Sequence, residues 1–328
     1  MSPVSRLAFA LGLAVAAGTA TAAEIPAAAP ANQATPATKP EKNEWVFSIL
    51  PKSLQKNPRL EMTVITEMTE EGKKRPPVSP DKPAYFEAFS SGFHQLGDAP
   101  ANEKTLTAAD IERVLVRALA TNGYLPAKPP QRPSLMVFYT WGSHSRLDEL
   151  DEENPALGAQ QVARNILDRA ALVGGDKFAK KLLEMFLEAD AQNTAANVPV
   201  PPGGEPVITQ EQLDFMNPIN QFRRADPKND FLVDQTANDV YYVVASAYDY
   251  QSVAQNKRVL LWRTRMTVAA QGVSQDQTLP TLVASAAPYF GKDMPEPETL
   301  NRRVMREGSV EIGTPTVVES DVASPAKR

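Results

Sequence analysis

Two histidines carry all the imidazole chemistry open to this chain. His94 stands near the end of one strand-like stretch and His144 just past another. If those stretches are parallel neighbours, the two ends meet where ligands sit in open α/β sheets. Asp148, Glu149, Asp151, Glu152 and Glu153 follow at once. Two imidazoles and a carboxylate such as Asp148 suit a zinc ion with an open position, or a general base beside an acid. The spacing is not a recognised ligand pattern, and neither histidine has a partner at a fixed short offset. Hydrogen-bonded strand-end histidines without a chemical role are the plainer reading. The acid run lacks the alternating Asp/Asn and central Gly of a calcium loop, so it reads as a solvated charged loop.

Other chemistries find less support. Arg263 and Arg265 sit two apart on one strand face, with Arg258 nearby. They form a possible face for an anionic ligand, a glycan or lipid head group, or else an ion-paired strand surface. Trp141 and Trp262 each fall on an apolar face and read as core rather than as stacking platforms for sugar. No Ser lies in Gly-x-Ser-x-Gly, and there is neither a G-x-G-x-x-G turn nor a P-loop. With no cysteine there is no disulfide, thiolate metal site, thiol nucleophile or lipid-bearing Cys. The 34 basic residues are outnumbered by 39 acidic ones, which argues against nucleic acid as a partner. No resident metal or cofactor is expected.

The elements that must position these residues begin after a leader. Arg6, the apolar run 7–17 and Ala20-Thr21-Ala22 have the form of a cleavable secretory signal over 1–22, cut after Ala22. The run is too short to span a bilayer, and no later stretch is long and apolar enough. The expected location is periplasmic or secreted, with no transmembrane segment in the mature chain. Residues 23–43 are an Ala/Pro linker. At 42% hydrophobic residues the remainder can bury a core, and 44–291 is expected to form a single α/β domain. Residues 292–328 are expected to be an extended tail, with a short strand at 310–312.

Within the domain, alternation predicts a strand over 60–68 and another over 84–96, paired as a long-looped hairpin across a proline-rich break. Thr107 and Asp110 cap a helix over 108–121 whose Ile111, Val114, Leu115, Ala118 and Leu119 make one stripe, closed by Asn122-Gly123. The strand 135–141 is apolar on both faces and should be central. The three elements form a β-α-β crossover, right-handed if its strands are parallel neighbours. A helical insertion fills about 150–235. Its stretch 158–190 is divided by Gly174-Gly175 and carries Phe178, Leu182, Met185 and Phe186. That stripe packs on the sheet or presents itself to a partner. Thr209 with Gln212 reads as a capping box and Pro218 as a helix start. Strands over 239–249 and 258–270 should pair antiparallel, and a last helix over 279–288 has Pro280 in its first turn.

Three stretches resemble a family of bacterial exported envelope proteins, many of them lipoproteins, known as a domain of unknown function. They are the helix end Ala120-Thr121-Asn122-Gly123-Tyr124, the strand Ser134-Leu135-Met136-Val137-Phe138-Tyr139, and the late strand Leu261-Trp262-Arg263 with its closing helix. The likeness covers about 84–142 and 239–290. The chain lacks the family's lipid-bearing Cys, and its insertion over 143–238 is long. The resemblance implies an envelope location and a two-layer sheet–helix fold, and it carries no catalytic residues. The expected protein is thus α/β (α+β), a two-layer sandwich with a mixed sheet of about five strands plus a helical insertion. It would be an exported, non-enzymatic binding or scaffolding module with an unknown envelope protein or glycan as partner. The alternative is a hydrolase or metal enzyme using His94, His144 and an acid from 148–153.

Overall fold

The computed structural model describes residues 51–52, 55, 57–97, 105–147, 155–196 and 209–304, all within one compact unit, Ser48–Arg328. The leader, the linker, the acids of 148–153 and the strand expected at 310–312 lie outside the described residues.

Seven strands form one mixed sheet: β1 (Arg59–Met68), β2 (Ala84–Leu96), β3 (Tyr124–Pro126), β4 (Leu135–His144), β5 (Val240–Asp249), β6 (Leu260–Ala269) and β7 (Glu298–Arg303). Their order is β3-β2-β4-β5-β6-β1-β7. The crossover is present: β2 and β4 are parallel neighbours joined through helix α2 (Ala108–Ala120). Thr107 and Asp110 make the reciprocal cap at its start. β4 is central, between β2 and β5, and β5 pairs antiparallel with β6.

The expected hairpin of the first two strands does not form. β1 pairs antiparallel with β6 and β7, while β2 pairs parallel with β3 and β4. The reason lies in β1, where Met62, Thr63, Val64 and Ile65 are all buried. A strand buried on both faces belongs inside a sheet with both edges paired. The connection from β1 to β2 must therefore cross the end of the sheet. It starts with the single-turn helix α1 (Glu70–Lys73) and continues through the prolines at 76, 77, 80 and 83.

The sheet is strongly curled. β3 and β6 are four strands apart, which is roughly 19 Å in a flat sheet at about 4.8 Å per strand. Yet the Tyr124 and Trp262 rings lie with centroids 5.5 Å apart. The concave face wraps α2 and α8 (Gln275–Ser285). Leu115, Leu119, Leu279 and Leu282 meet Val64, Val137, Val243 and Met266 in the main core.

The opposite face is half covered by the insertion: α3 (Pro155–Ala196), α4 (Gln210–Met216), α5 (Pro218–Ala225) and α6 (Pro227–Ala237). The stripe of the long helix packs inward, with Phe178, Leu182 and Met185 against Leu232, Val233 and Val240 in a second core. Gly175, at φ 82°, kinks α3 where it crosses the sheet. The Glu67 carboxylate accepts the Asp176 N–H there at 3.1 Å, and Arg265 pairs with both Glu67 and Asp176. The uncovered half shows a ring row, with Phe89–Phe138 and Phe138–Tyr248 centroids 5.6 and 5.5 Å apart.

The α/β class thus holds, while two layers and five strands become helices on both faces of seven strands. β7 arises where an extended tail was expected, because the free edge of β1 supplies its partner. Its charged residues suit an edge. α8 begins at Gln275, so Pro280 lies inside it rather than in its first turn. Thr209 and Pro218 start helices as expected. Among the described residues, no helix is long and apolar enough to cross a membrane.

Candidate functional site

The histidines occupy one end of the sheet. The register sets His94 opposite Gly142 and Leu96 opposite His144. The two imidazoles therefore share one face, on neighbouring strands and two residues out of step. Their environments differ sharply. His94 is exposed, with Nε2 3.1 Å from the Ser91 carbonyl oxygen. His144 is 1% exposed, and its Nδ1 has no hydrogen-bond partner among the described residues. Burial, reinforced by the Arg169 charge, holds its pKa below the usual 6.5. No group of three His, Asp or Glu that could hold a metal ion occurs among the described residues.

A pH dependence follows with a definite sign. The unfolded chain takes up this proton near pH 6.5, before the folded chain does. Stability attributable to His144 is therefore full above that pH and falls as pH drops through the window beneath it. Urea titrations at pH 7.5 and 5.5 should show a loss for the native chain that is smaller in His144→Gln.

The three arginines do not form one free face. Arg265 is buried and neutralised by Glu67 and Asp176. Arg263 donates from Nε to Ser246 Oγ at 3.1 Å, and Arg258 is exposed in the turn before β6.

The opposite end of the sheet holds a cleft of about 770 Å³, within the range of small-molecule sites. It lies beneath the connection from β1 to β2. Trp262, Leu261 and Leu135 form its buried floor at the starts of β6 and β4. Pro76, Pro77, Val78 and Pro83 form a wall, stiffened by the fixed φ of proline. Lys73, Arg75, Lys82 and Lys292 line it as well, and no Asp, Glu or His does so among the described residues.

Close backbone approaches shape this cleft. Thr69 caps α1, and its hydroxyl donates to the Leu260 carbonyl at 2.6 Å. Gly72 then lies flat on β6, where a Cβ would fall 2.1 Å from the Leu261 carbonyl oxygen. Across the cleft, Gly291 adopts φ +68° and faces Tyr124, whose hydroxyl would stand 1.9 Å from an added Cβ. Burial pushes the Tyr124 phenol up to about 12, so it stays neutral. Gly72→Ala should lift α1 from β6 at a cost of about 1–3 kcal/mol, read as a lower urea midpoint.

Acids just outside the cleft hold two of its cations. Lys73 reaches Asp293 at 3.2 Å and Glu70 at 3.4 Å, and Arg75 pairs with Asp249. Burial alone would raise the Asp249 pKa, but hydrogen bonds from Ser252 and Arg75 outweigh it and keep the carboxyl ionised. Lys82 and Lys292 are exposed and have no ion-pair partner among the described residues.

None of the four cations was singled out from the sequence. Lys73, Arg75 and Lys82 share the β1–β2 connection, and the fold of the sheet brings the distant Lys292 to join them. The usable signal was local: a proline-rich connection carrying basic residues between two strands that do not pair. No family model matches the chain, and no curated protein matches its sequence.

Proposed function

We propose that this protein is an exported envelope protein that acts as a non-enzymatic module, binding a small apolar ligand in the cleft under the β1–β2 connection. The leader-like pattern over 1–22 and the resemblance to exported envelope proteins support the location. The binding role rests on one observation: a cleft of about 770 Å³ with an aromatic and aliphatic floor and, among the described residues, no imidazole or carboxylate in its lining. General acid–base chemistry near neutral pH uses those groups most often, whereas an apolar floor with a few polar groups at its margin is the usual anatomy of a ligand pocket.

The test is binding of N-phenyl-1-naphthylamine, a neutral dye that brightens in apolar surroundings. Saturable brightening is expected. Ser134 lines the cleft from an exposed position, so Ser134→Phe should fill it without touching the core. That variant should weaken the dye by at least about tenfold, or 1.4 kcal/mol. Equal binding by both proteins would place the dye elsewhere and remove the support for this reading.

A further inference from the structure

We infer, on the reading that the cleft binds an apolar ligand, that its occupant is an anionic amphiphile: an apolar body ending in a carboxylate or phosphate that sits against Lys82 and Lys292. The chain carries a net charge of −5, yet the described lining of this cleft contains four cations and no acid. The rim thus opposes the average charge of the molecule. The four cations are not equivalent. Lys73 and Arg75 are answered by Asp293, Glu70 and Asp249 from outside the lining. Lys82, in the proline-rich connection, and Lys292, just past Gly291, have no acidic partner among the described residues.

The floor beneath them supplies the other half of the match. Trp262 and Leu261 are buried to within a few per cent and Leu135 nearly so, and half-buried Met68 and Val78 stand beside them. A ligand that is apolar throughout would leave the two ammonium groups unanswered. A purely ionic ligand would leave the floor unused. An amphiphile with one anionic end satisfies both. The wall needs little reorganisation, because prolines at 76, 77, 80 and 83 limit the conformations of the connection.

The experiment displaces N-phenyl-1-naphthylamine from the full chain at pH 8 and low salt. Four straight-chain competitors carry different heads: decanoate with a nine-carbon tail, and decyl phosphate, 1-decanol and decyltrimethylammonium with ten-carbon tails. Decanoate or decyl phosphate should compete roughly tenfold better than decanol, given the modest worth of exposed charge pairs, and decyltrimethylammonium should be weakest. The stronger of the two anions identifies the head group, and inorganic phosphate alone should not displace the dye. The advantage should shrink in 1 M NaCl, where the Debye length is about 3 Å. Lengthening decanoate by one CH2 should gain roughly fourfold.

In Lys82→Gln/Lys292→Gln the advantage of the anions over decanol should disappear while decanol itself is unchanged. Both sites are exposed, so folding is not at stake. Equal competition by decanoate and decanol, or an anion preference that survives in the double variant, overturns the inference while leaving the apolar site standing. Failure of the dye to bind at all overturns the underlying reading instead.

Discussion

Arg169→Ala is expected to cost about 3–5 kcal/mol, a large part of the roughly 5–15 kcal/mol that holds a typical domain folded. Arg169 is 2% exposed. Its guanidinium donates to the Thr236 carbonyl at 2.8 Å, to the Ser145 carbonyl at 3.0 Å and to Asn165 Oδ1. One side chain from α3 thereby ties the last turn of α6 to the chain just beyond β4. No carboxylate forms an ion pair with it among the described residues. Removing the side chain leaves two buried carbonyl oxygens without this donor and a cavity where the chain lay. Arg169→Lys should recover less than half of the loss, because an ammonium cannot present the planar fork that spans three acceptors. Urea unfolding followed by circular dichroism measures both variants. A change below 1 kcal/mol in Arg169→Ala would mean that the insertion is anchored by its apolar contacts alone.

Trp262→Ala should be comparably damaging, about 3–5 kcal/mol, and should also remove the floor of the cleft. Trp262 is 2% exposed, with ring centroids 5.5 Å from Tyr124 and 6.2 Å from Phe290. It bridges β6 to β3 across the curl, so its loss strikes packing and cleft shape together. Trp262→Phe keeps an aromatic ring in place and should restore more than half of the stability. Differential unfolding of the two variants reads the first effect and dye titration the second. Trp141 offers the contrast. Its indole N–H is buried without a hydrogen-bond partner among the described residues, so Trp141→Phe forfeits no such bond and should be milder.

The parts of the fold that were legible in the sequence are those set by local chemistry. Thr107, Asp110 and the stripe from Ile111 to Leu119 define α2 without help from the rest of the chain. Leu135–Trp141, apolar on both sides, announced its central position. Gly175 marked the kink in α3 because a positive φ falls there. What stayed hidden depends on pairing and curvature. Glu298–Arg303 has no apolar alternation and becomes a strand only because β1 offers a free edge. Pro280 looked like a helix start, but Gln275, Thr278 and Leu279 are buried ahead of or beside it and draw the helix further back.

The candidate site shows the same division. Trp262 reads correctly as core and is also the cleft floor, a dual role that alternation cannot reveal. Lys82 and Lys292 are 210 positions apart in the chain and share a cleft only after the sheet curls. The histidines had a visible relation, since parallel pairing of β2 and β4 does bring them to one end and one face. Their exposure, which separates a solvent-facing His94 from an enclosed His144, was not visible.

The most direct measurement uses Trp262 as its own reporter. In Trp45→Phe/Trp141→Phe the indole at 262 is the single tryptophan left in the chain, and it lines the cleft. Titration with 10-bromodecan-1-ol, whose bromine quenches indole on contact, should quench that emission saturably. Ser134→Phe in the same background should abolish the quenching. Emission that declines only linearly with quencher, or that saturates equally with the cleft filled, would contradict ligand binding at this site.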